Sequence, residues 1–193
     1  MRKFLLLITI FYCMQINAQN KIVLNAASGK DTINKNIYGH FAEHLGHCIY
    51  GGFYVGEDNK KIPNKNGIRL DVVEALKKLK TPVLRWPGGC FADTYHWKDG
   101  IGPKNKRKYT ENVSWGNVRE DNSFGTNEFL DLCEMMNADP YLAVNVGGGT
   151  VQEAAEWVQY VNHANGSRYI TDLREQTGIK KPWHVKYWGV GNE

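Results

Sequence analysis

The sequence predicts an α/β fold: a parallel barrel of alternating strands and helices, of which this chain carries the first half. Three observations lead there. Helical and strand periods alternate from about residue 69 onward. The segments "PVLRWPGG", "PYLAVNVGGG" and "HVKYWGVGNE" are apolar on both faces, as strands covered by helices are. Each ends in glycine and polar residues, and in parallel α/β folds the carboxyl ends of strands are where chemistry is placed. A doubly wound nucleotide fold would put G-x-G-x-x-G after its first strand. "GGG" at Gly147 and "GVGNE" at Gly189 lack that spacing, so the barrel is preferred.

The elements follow in order. Met1-Arg-Lys and the apolar run Phe4 to Met14 have the form of an export signal: a positive start, then a stretch too short to span a bilayer. Ala18 offers a small-residue cleavage point. Residues 1–18 are therefore set aside, and the mature chain is expected to start at Gln19, in the periplasm or outside the cell. "KIVLNAA" from Lys21 reads as a short strand, "SGKDTINKN" as a turn region, and "IYGHFAE" as a second extended segment.

Three helices and three strands then alternate. Val72, Val73, Leu76 and Leu79 make a stripe on "RLDVVEALKKLK". Phe129, Leu132, Cys133 and Met136 recur at i, i+3, i+4 and i+7, and Val151, Ala154, Ala155 and Val158 repeat that spacing. Thr150 and Glu153 form a T-x-x-E capping box ahead of the third helix, each side chain serving a backbone N–H left open at the helix start. A full barrel needs eight strand–helix units and about 250 residues. Four barrel strands can be counted, the last ending on Glu193 with no helix to cover it. The chain thus reads as the truncated, amino-terminal part of a longer protein: signal over 1–18, strand and turn over 19–36, incomplete barrel over 37–193. Its first and fourth strands would be unpaired edges.

Charge and cysteine usage exclude several classes. Removing Arg2 and Lys3 with the signal lowers the formal charge from +4 to +2, which predicts no nucleic-acid partner. The basic cluster "KNKRK", Lys104 to Lys108, follows Gly102-Pro103 and reads as a solvated loop. No segment after the signal is long and apolar enough to cross a membrane as a helix, so no membrane partner is expected. Cys48, Cys90 and Cys133 remain after processing, an odd number that does not make a disulfide scaffold. Cys133, on an apolar helix face, reads as a small core residue. "NVS" at Asn112 and "NGS" at Asn165 match the glycosylation pattern. A homo-oligomer is allowed by the sequence.

Polar residues gather where the strands end: Glu43, Arg85, Asn145, Asn192 and Glu193. A carboxylate at a strand tip, such as Glu193, can serve as a general acid when a second carboxylate nearby raises its pKa. Glycoside hydrolysis uses such a pair, about 5 Å apart in retaining enzymes. Arg85 sits in a buried strand, where an arginine usually has a carboxylate partner. Glu43 is the candidate, either as an ion pair joining two strands or as part of a polar floor gripping sugar hydroxyls. Trp86, Trp97 and Trp188 lie near strand ends. Indole faces cover the apolar faces of sugars well; core packing is the preferred role for Trp188, ligand contact for Trp97.

His40-Phe-Ala-Glu43-His44 spells H-x-x-E-H, the signature of one class of zinc peptidase. That chemistry needs one helix to bring both histidines to one face. Gly39 before the motif and Gly46 after it suit a strand running into a loop instead, so neither a metal site nor any cofactor is assigned.

"IYGHFAEHLG", "VLRWPGGCFADTYHWKDGIGP" and "WGVGNE", in this order and spacing, resemble glycoside hydrolase family 51, the α-L-arabinofuranosidases. The resemblance runs from about Ile22 to Glu193. It implies a (β/α)8 TIM barrel with an accessory β-sandwich, to which the strand near Lys21 would contribute, and a retaining double-displacement mechanism without a metal. It implies Glu193 as general acid/base, with Glu43, Arg85 and Asn192 binding arabinofuranose hydroxyls and Asn192 gripping the 2-OH. The substrate implied is an arabinose-containing polysaccharide or oligosaccharide. Cys90 follows Pro87-Gly-Gly where the resemblance implies a sugar-binding Asn, and a thiol is a poor hydrogen-bond partner. The nucleophile expected on the seventh strand is absent from this chain. The rival readings are another retaining glycosidase of the same layout, an endoglucanase or xylosidase, and a truncated product without catalysis.

Overall fold

The computed structural model describes residues 20–164 and 168–193; the export signal expected over residues 1–18 and the glycosylation pattern at Asn165 lie outside them. Residues up to Ile33 and residues Asn34–Glu193 form two separate units. In the first, "KIVLNAA" makes no strand: Ile22, Val23 and Leu24 are exposed, and a 3-10 turn, Ala26–Ser28, is started by the Asn25 side chain. Extended backbone needs a partner for its N–H and C=O groups, and no strand among the described residues pairs with this segment.

The second unit contains β1 (His40–Phe41), β2 (Asn64–Lys65), β3 (Ile68–Arg69), α1 (Leu70–Lys78), β4 (Val83–Trp86), β5 (Thr110–Asn112), β6 (Val118–Glu120), α2 (Thr126–Met136), β7 (Asp139–Val144), α3 (Val151–Asn162), α4 (Arg168–Gln176) and β8 (Tyr187–Val190). The predicted extended run "IYGHFAE" is extended only in part. Residues Lys35–Tyr38 form a 3-10 turn, which the Asn34 side chain starts by accepting from the Asn36 amide. Strands β1, β4, β7 and β8 make one parallel sheet in that order, so its spatial order follows the chain. Phe41, Arg85, Tyr141 and Tyr187 are register partners across it. Strands β2–β3 and β5–β6 are two small antiparallel ribbons.

The helices bury the faces that bulk selects. All four predicted stripe residues of α2 are buried; on α1 Val73 is buried while Leu79, its C-cap, is exposed. On α3 the predicted stripe is wrong. Trp157, Tyr160 and Val161 face the core, and Val151 and Val158 are exposed. Two aromatics with polar handles outcompete small aliphatics for the interior: Trp157 Nε1 donates to Thr126 Oγ1 at 3.1 Å, and the Tyr160 hydroxyl to Asn127 Oδ1 at 2.9 Å. Half of the capping box forms. Thr150 Oγ1 accepts from the Glu153 amide at 3.0 Å, but the Glu153 carboxylate pairs with His96 Nδ1 at 2.9 Å. Helix α4 was not expected from the sequence. Its Arg174 is buried and donates to the Tyr160 carbonyl near the end of α3.

Trp86 lies at the centre of the core, fully buried, stacked on Phe129 at 5.1 Å and edge-on to Tyr95, Phe124 and Trp157. Burying one large apolar side chain contributes about 1.5–3 kcal/mol, so this cluster dominates local stability. The long connection from β4 to α2 packs on it. There the basic cluster is solvated only in part: Asn105, Lys106 and Lys108 are exposed, while Arg107 and Lys104 are drawn into ion pairs. Arg107, its side chain 3% exposed, makes a two-pronged bond to Glu128 and donates to the carbonyls of Gly102, Asn122 and Ser123. Lys104 bonds the Tyr54 hydroxyl, Glu57 and Glu128. Glu128 in turn accepts from the Gly125 amide and so closes the start of α2. Gly125 must be glycine: a Cβ there would lie 1.8 Å from the Gly100 carbonyl oxygen.

Candidate active site

The site is built where β1, β4 and β8 end. Beyond β1 the chain stays tied to β4, with the Ala42 amide on the Arg85 carbonyl at 2.8 Å and the His44 amide on the Pro87 carbonyl at 3.2 Å. This holds Glu43 over the turn that follows β4. Glu43 Oε1 accepts from the amides of Gly89 at 2.8 Å and Phe91 at 3.3 Å. The approach requires glycine at 88, since a Cβ there would lie 2.6 Å from Glu43 Cγ. With Oε1 clamped, Oε2 is the oxygen left to meet a ligand.

Arg85 points along the same rim. Its Nη2 donates to Asn192 Oδ1 at 2.8 Å, to the Asn192 carbonyl at 3.2 Å and to the Gly88 carbonyl at 3.4 Å. Its guanidinium lies 5.0 Å from the Phe41 ring and 5.8 Å from the Tyr141 ring, its two register neighbours. The expected Glu43–Arg85 ion pair does not form. Asn192 and two carbonyls satisfy Nη2, aromatic faces offset the charge, and Arg85 Nε is buried without a partner. Asn192 reaches this place because β8 is followed by Gly191, whose φ of +81° turns the chain in the left-handed region. Glu193 follows directly and is exposed. Cys90, exposed, opens the 3-10 turn that supplies the Phe91 amide.

Two predicted contributors, Trp97 and Asn145, stand elsewhere. Trp97 is 1% exposed, donates to the Glu153 carbonyl at 2.9 Å and stacks on Trp157, so it is a core residue and not a ligand contact. Asn145 turns inward, its Oδ1 taking the amides of Gly148 and Gly149 and its Nδ2 donating to the Tyr95 carbonyl. Trp188 packs edge-on against Trp157, as expected. In the H-x-x-E-H motif, His40 is exposed on β1 while His44 is buried, with Nε2 accepting from the Trp86 indole at 3.2 Å. A strand and turn do not give the one-helix geometry that motif needs.

Beneath Glu43 lies a buried polar cluster that sequence reasoning did not assemble. His44 Nδ1 faces Glu120 Oε2 at 3.5 Å, and Glu120 Oε1 accepts from Asn112 Nδ2 at 2.8 Å. Burial holds the His44 pKa below its ordinary value of 6.5, against the pull of Glu120, Glu43 and Asp121. Burial works to raise the Glu120 pKa, but the bond from Asn112 and the nearby His44 ring outweigh it and keep that carboxyl below 4.5. Two motifs had marked members of the cluster for other chemistry: H-x-x-E-H marked His44 for a metal, and the acceptor pattern marked Asn112 for a glycan. Nothing in the sequence marks Glu120.

Fold and rim define a parallel α/β protein with a clamped carboxylate, a guanidinium and an amide gathered at its strand tips. A family profile described as "Alpha-L-arabinofuranosidase 1 domain" matches residues 75–193. The chain belongs to this α-L-arabinofuranosidase family, glycoside hydrolase family 51. It is 58% identical over 172 residues to an "Intracellular exo-alpha-L-arabinofuranosidase" of Bacteroides ovatus, covering 89% of this chain and 33% of the relative. It is 49% identical to "Alpha-L-arabinofuranosidase C" of Emericella nidulans, covering 83% and 31%. Among solved structures, the GH51 arabinofuranosidase from Xanthomonas axonopodis pv. citri matches with a TM-score of 0.83 at 45% identity, covering 86% of this chain and 33% of that one. An arabinose complex of the Thermotoga maritima enzyme matches at 0.76 and 48%, covering 81% and 32%. The chain thus spans about a third of the length of the curated relatives it matches.

Proposed function

We propose that this chain supplies the sugar-gripping and acid/base part of a retaining α-L-arabinofuranosidase. Its substrates would be terminal, non-reducing α-L-arabinofuranosyl groups of arabinoxylan, arabinan or their oligosaccharides. The observation that carries this is the 2.8 Å Arg85–Asn192 bond beside the clamped Glu43, at the ends of parallel strands. The (β/α)8 architecture is supported by a sheet whose order follows the chain; a doubly wound sheet reverses its order at a switch point. It is also supported by an apolar groove of about 410 Å³ along α3 and β8, lined by Val151, Ala155, Val158 and Val190, a face suited to a further strand–helix unit.

In this reading Glu43 Oε2, Arg85 and Asn192 hold furanose hydroxyls, Asn192 on the 2-OH, a contact that strengthens in the transition state. Glu193 gives its proton to the glycosidic oxygen as the bond from C1 to that oxygen breaks and a second carboxylate bonds to C1. Water, giving a proton to Glu193, then attacks C1 and releases arabinose and the carboxylate. The second carboxylate is not assigned to any residue of this chain, so the 193-residue chain alone is expected to be inactive.

The test is hydrolysis of an aryl α-L-arabinofuranoside by the protein produced from its complete gene. Glu193→Gln should lower kcat by about 10²–10⁴-fold. Preferred cleavage of an aryl xyloside or glucoside in the same panel would replace the sugar assignment, and turnover by the 193-residue chain would overturn the division of labour. Residues 1–18 are proposed to direct export, although the name of the Bacteroides ovatus relative describes an intracellular enzyme. Cell fractionation decides that point, with a cytoplasmic product that keeps Met1 as the adverse result.

A further inference from the structure

Glu43 is held from two directions, and both lead to His44. Trp86 Nε1 donates to His44 Nε2, so the neutral ring carries its proton on Nδ1, toward Glu120. Glu120 accepts from Asn112, and the same Asn112 nitrogen donates to the His44 carbonyl at 2.6 Å. His44 Nδ1 lies 3.5 Å from Glu120 Oε2, within ion-pair range but without a hydrogen bond, so the contacts run from the His44 side chain through Glu120 and Asn112 back to the His44 backbone, one residue from Glu43. On the other side, Phe91 stacks on the His44 ring at 4.6 Å and 23°, and its amide is one of the two that clamp Glu43. Asn112 and Glu120 are fully or nearly buried. Burying such groups costs free energy that an apolar core of the same volume avoids. A connected set of such contacts favours one geometry.

We propose that His44, Glu120 and Asn112 are positioning residues for Glu43. They fix the backbone at 43–44 so that Oε1 stays on the Gly89 and Phe91 amides and Oε2 is presented to a furanose hydroxyl. They also tie the β5–β6 ribbon to that carboxylate. The assignment of the ligand rests on the reading of Glu43 given above; the clamping does not.

Two measurements on the protein from its complete gene separate these parts. The first is amide hydrogen exchange at Gly89 and Phe91, which reads the clamp without substrate. Glu120→Gln should speed it by about tenfold, and protection equal to wild type overturns the network. The second is a double-mutant cycle on kcat and KM with an aryl α-L-arabinofuranoside. Glu120→Gln should lower kcat/KM by about tenfold or more, mainly through KM. In a Glu43→Gln background it should cost less than about twofold further. Fully multiplicative losses overturn the network, because a role in stability alone would not pass through Glu43. If Glu120→Gln does not fold, Trp86→Phe, which keeps an aromatic ring and removes the donor to His44, takes its place in both. Faster exchange in a protein with no arabinofuranosidase activity would sink the sugar assignment and leave the network standing.

Discussion

Arg85 Nη2 donates to Asn192 Oδ1 at 2.8 Å across the intervening strand β7. Neighbouring strands lie about 4.8 Å apart; the gap is closed from both sides, by the Arg85 side chain reaching past the Tyr141 ring and by the turn at Gly191 that brings Asn192 beside Gly89. The tips of β4 and β8, far apart in the chain, are thereby fixed directly to each other.

Lysine cannot replace that arginine. An ammonium has neither the planar face that sits between Phe41 and Tyr141 nor the fork that reaches Asn192. Arg85→Lys is expected to raise KM for an aryl α-L-arabinofuranoside and lose about 1.5–3 kcal/mol of transition-state binding, with far-ultraviolet dichroism unchanged. Wild-type kcat/KM in this variant would count against Arg85 as a sugar ligand.

For Trp97 the prediction concerns stability. Trp97→Ala should cost about 3–5 kcal/mol in urea unfolding, since the ring is packed on Trp157 and Tyr160. Trp97→Phe should fold and keep the wild-type KM. A large rise in KM with an unchanged unfolding midpoint would return Trp97 to the ligand site.

Acid sensitivity follows from His44 and Glu120. His44 is held below 6.5, first by burial, in an environment that Glu120, Glu43 and Asp121 face. The unfolded chain therefore binds a proton that the folded chain refuses. The stability that His44 contributes is complete above pH 6.5 and declines as pH falls toward the folded pKa. Glu120 adds a second loss below 4.5, as its depressed carboxyl is finally protonated. Urea midpoints should fall as pH drops below 6.5, and His44→Gln should flatten the part of the curve between 6.5 and 4.5. An unchanged slope in that variant would assign the acid effect elsewhere.

Asn112 should carry no glycan even when the protein is made in a glycosylating host. Its side chain is 0% exposed, and Nδ2 is bonded to the His44 carbonyl and to Glu120. Peptide mass spectrometry decides this. Asn112→Ala should destabilise by about 1–3 kcal/mol, because it strands a buried carbonyl and a buried carboxylate.

What the sequence made legible was set by patterns that one element carries alone. The two-faced apolar strands at 83, 140 and 187 and the stripe on α2 were readable because period and bulk agree there. The stripe on α3 was misread because two periodic faces compete, and the winner depends on Thr126 and Asn127 of another helix. The strand near Lys21 was misread because pairing belongs to the partner as much as to the segment. That Glu43, Arg85 and Asn192 gather at one rim was readable from their positions at strand ends. The His44–Glu120 contact was not, since it joins residues 76 apart that share no local pattern.

Trp86 serves two masters. Its ring face is the hub of the hydrophobic interior, and its N–H is the first donor in the chain of bonds that leads to Glu43. A laboratory campaign selecting for heat tolerance at this position would therefore also be selecting among altered settings of the Glu43 carboxylate. Protein engineers should screen affinity and thermal endurance together whenever they touch it.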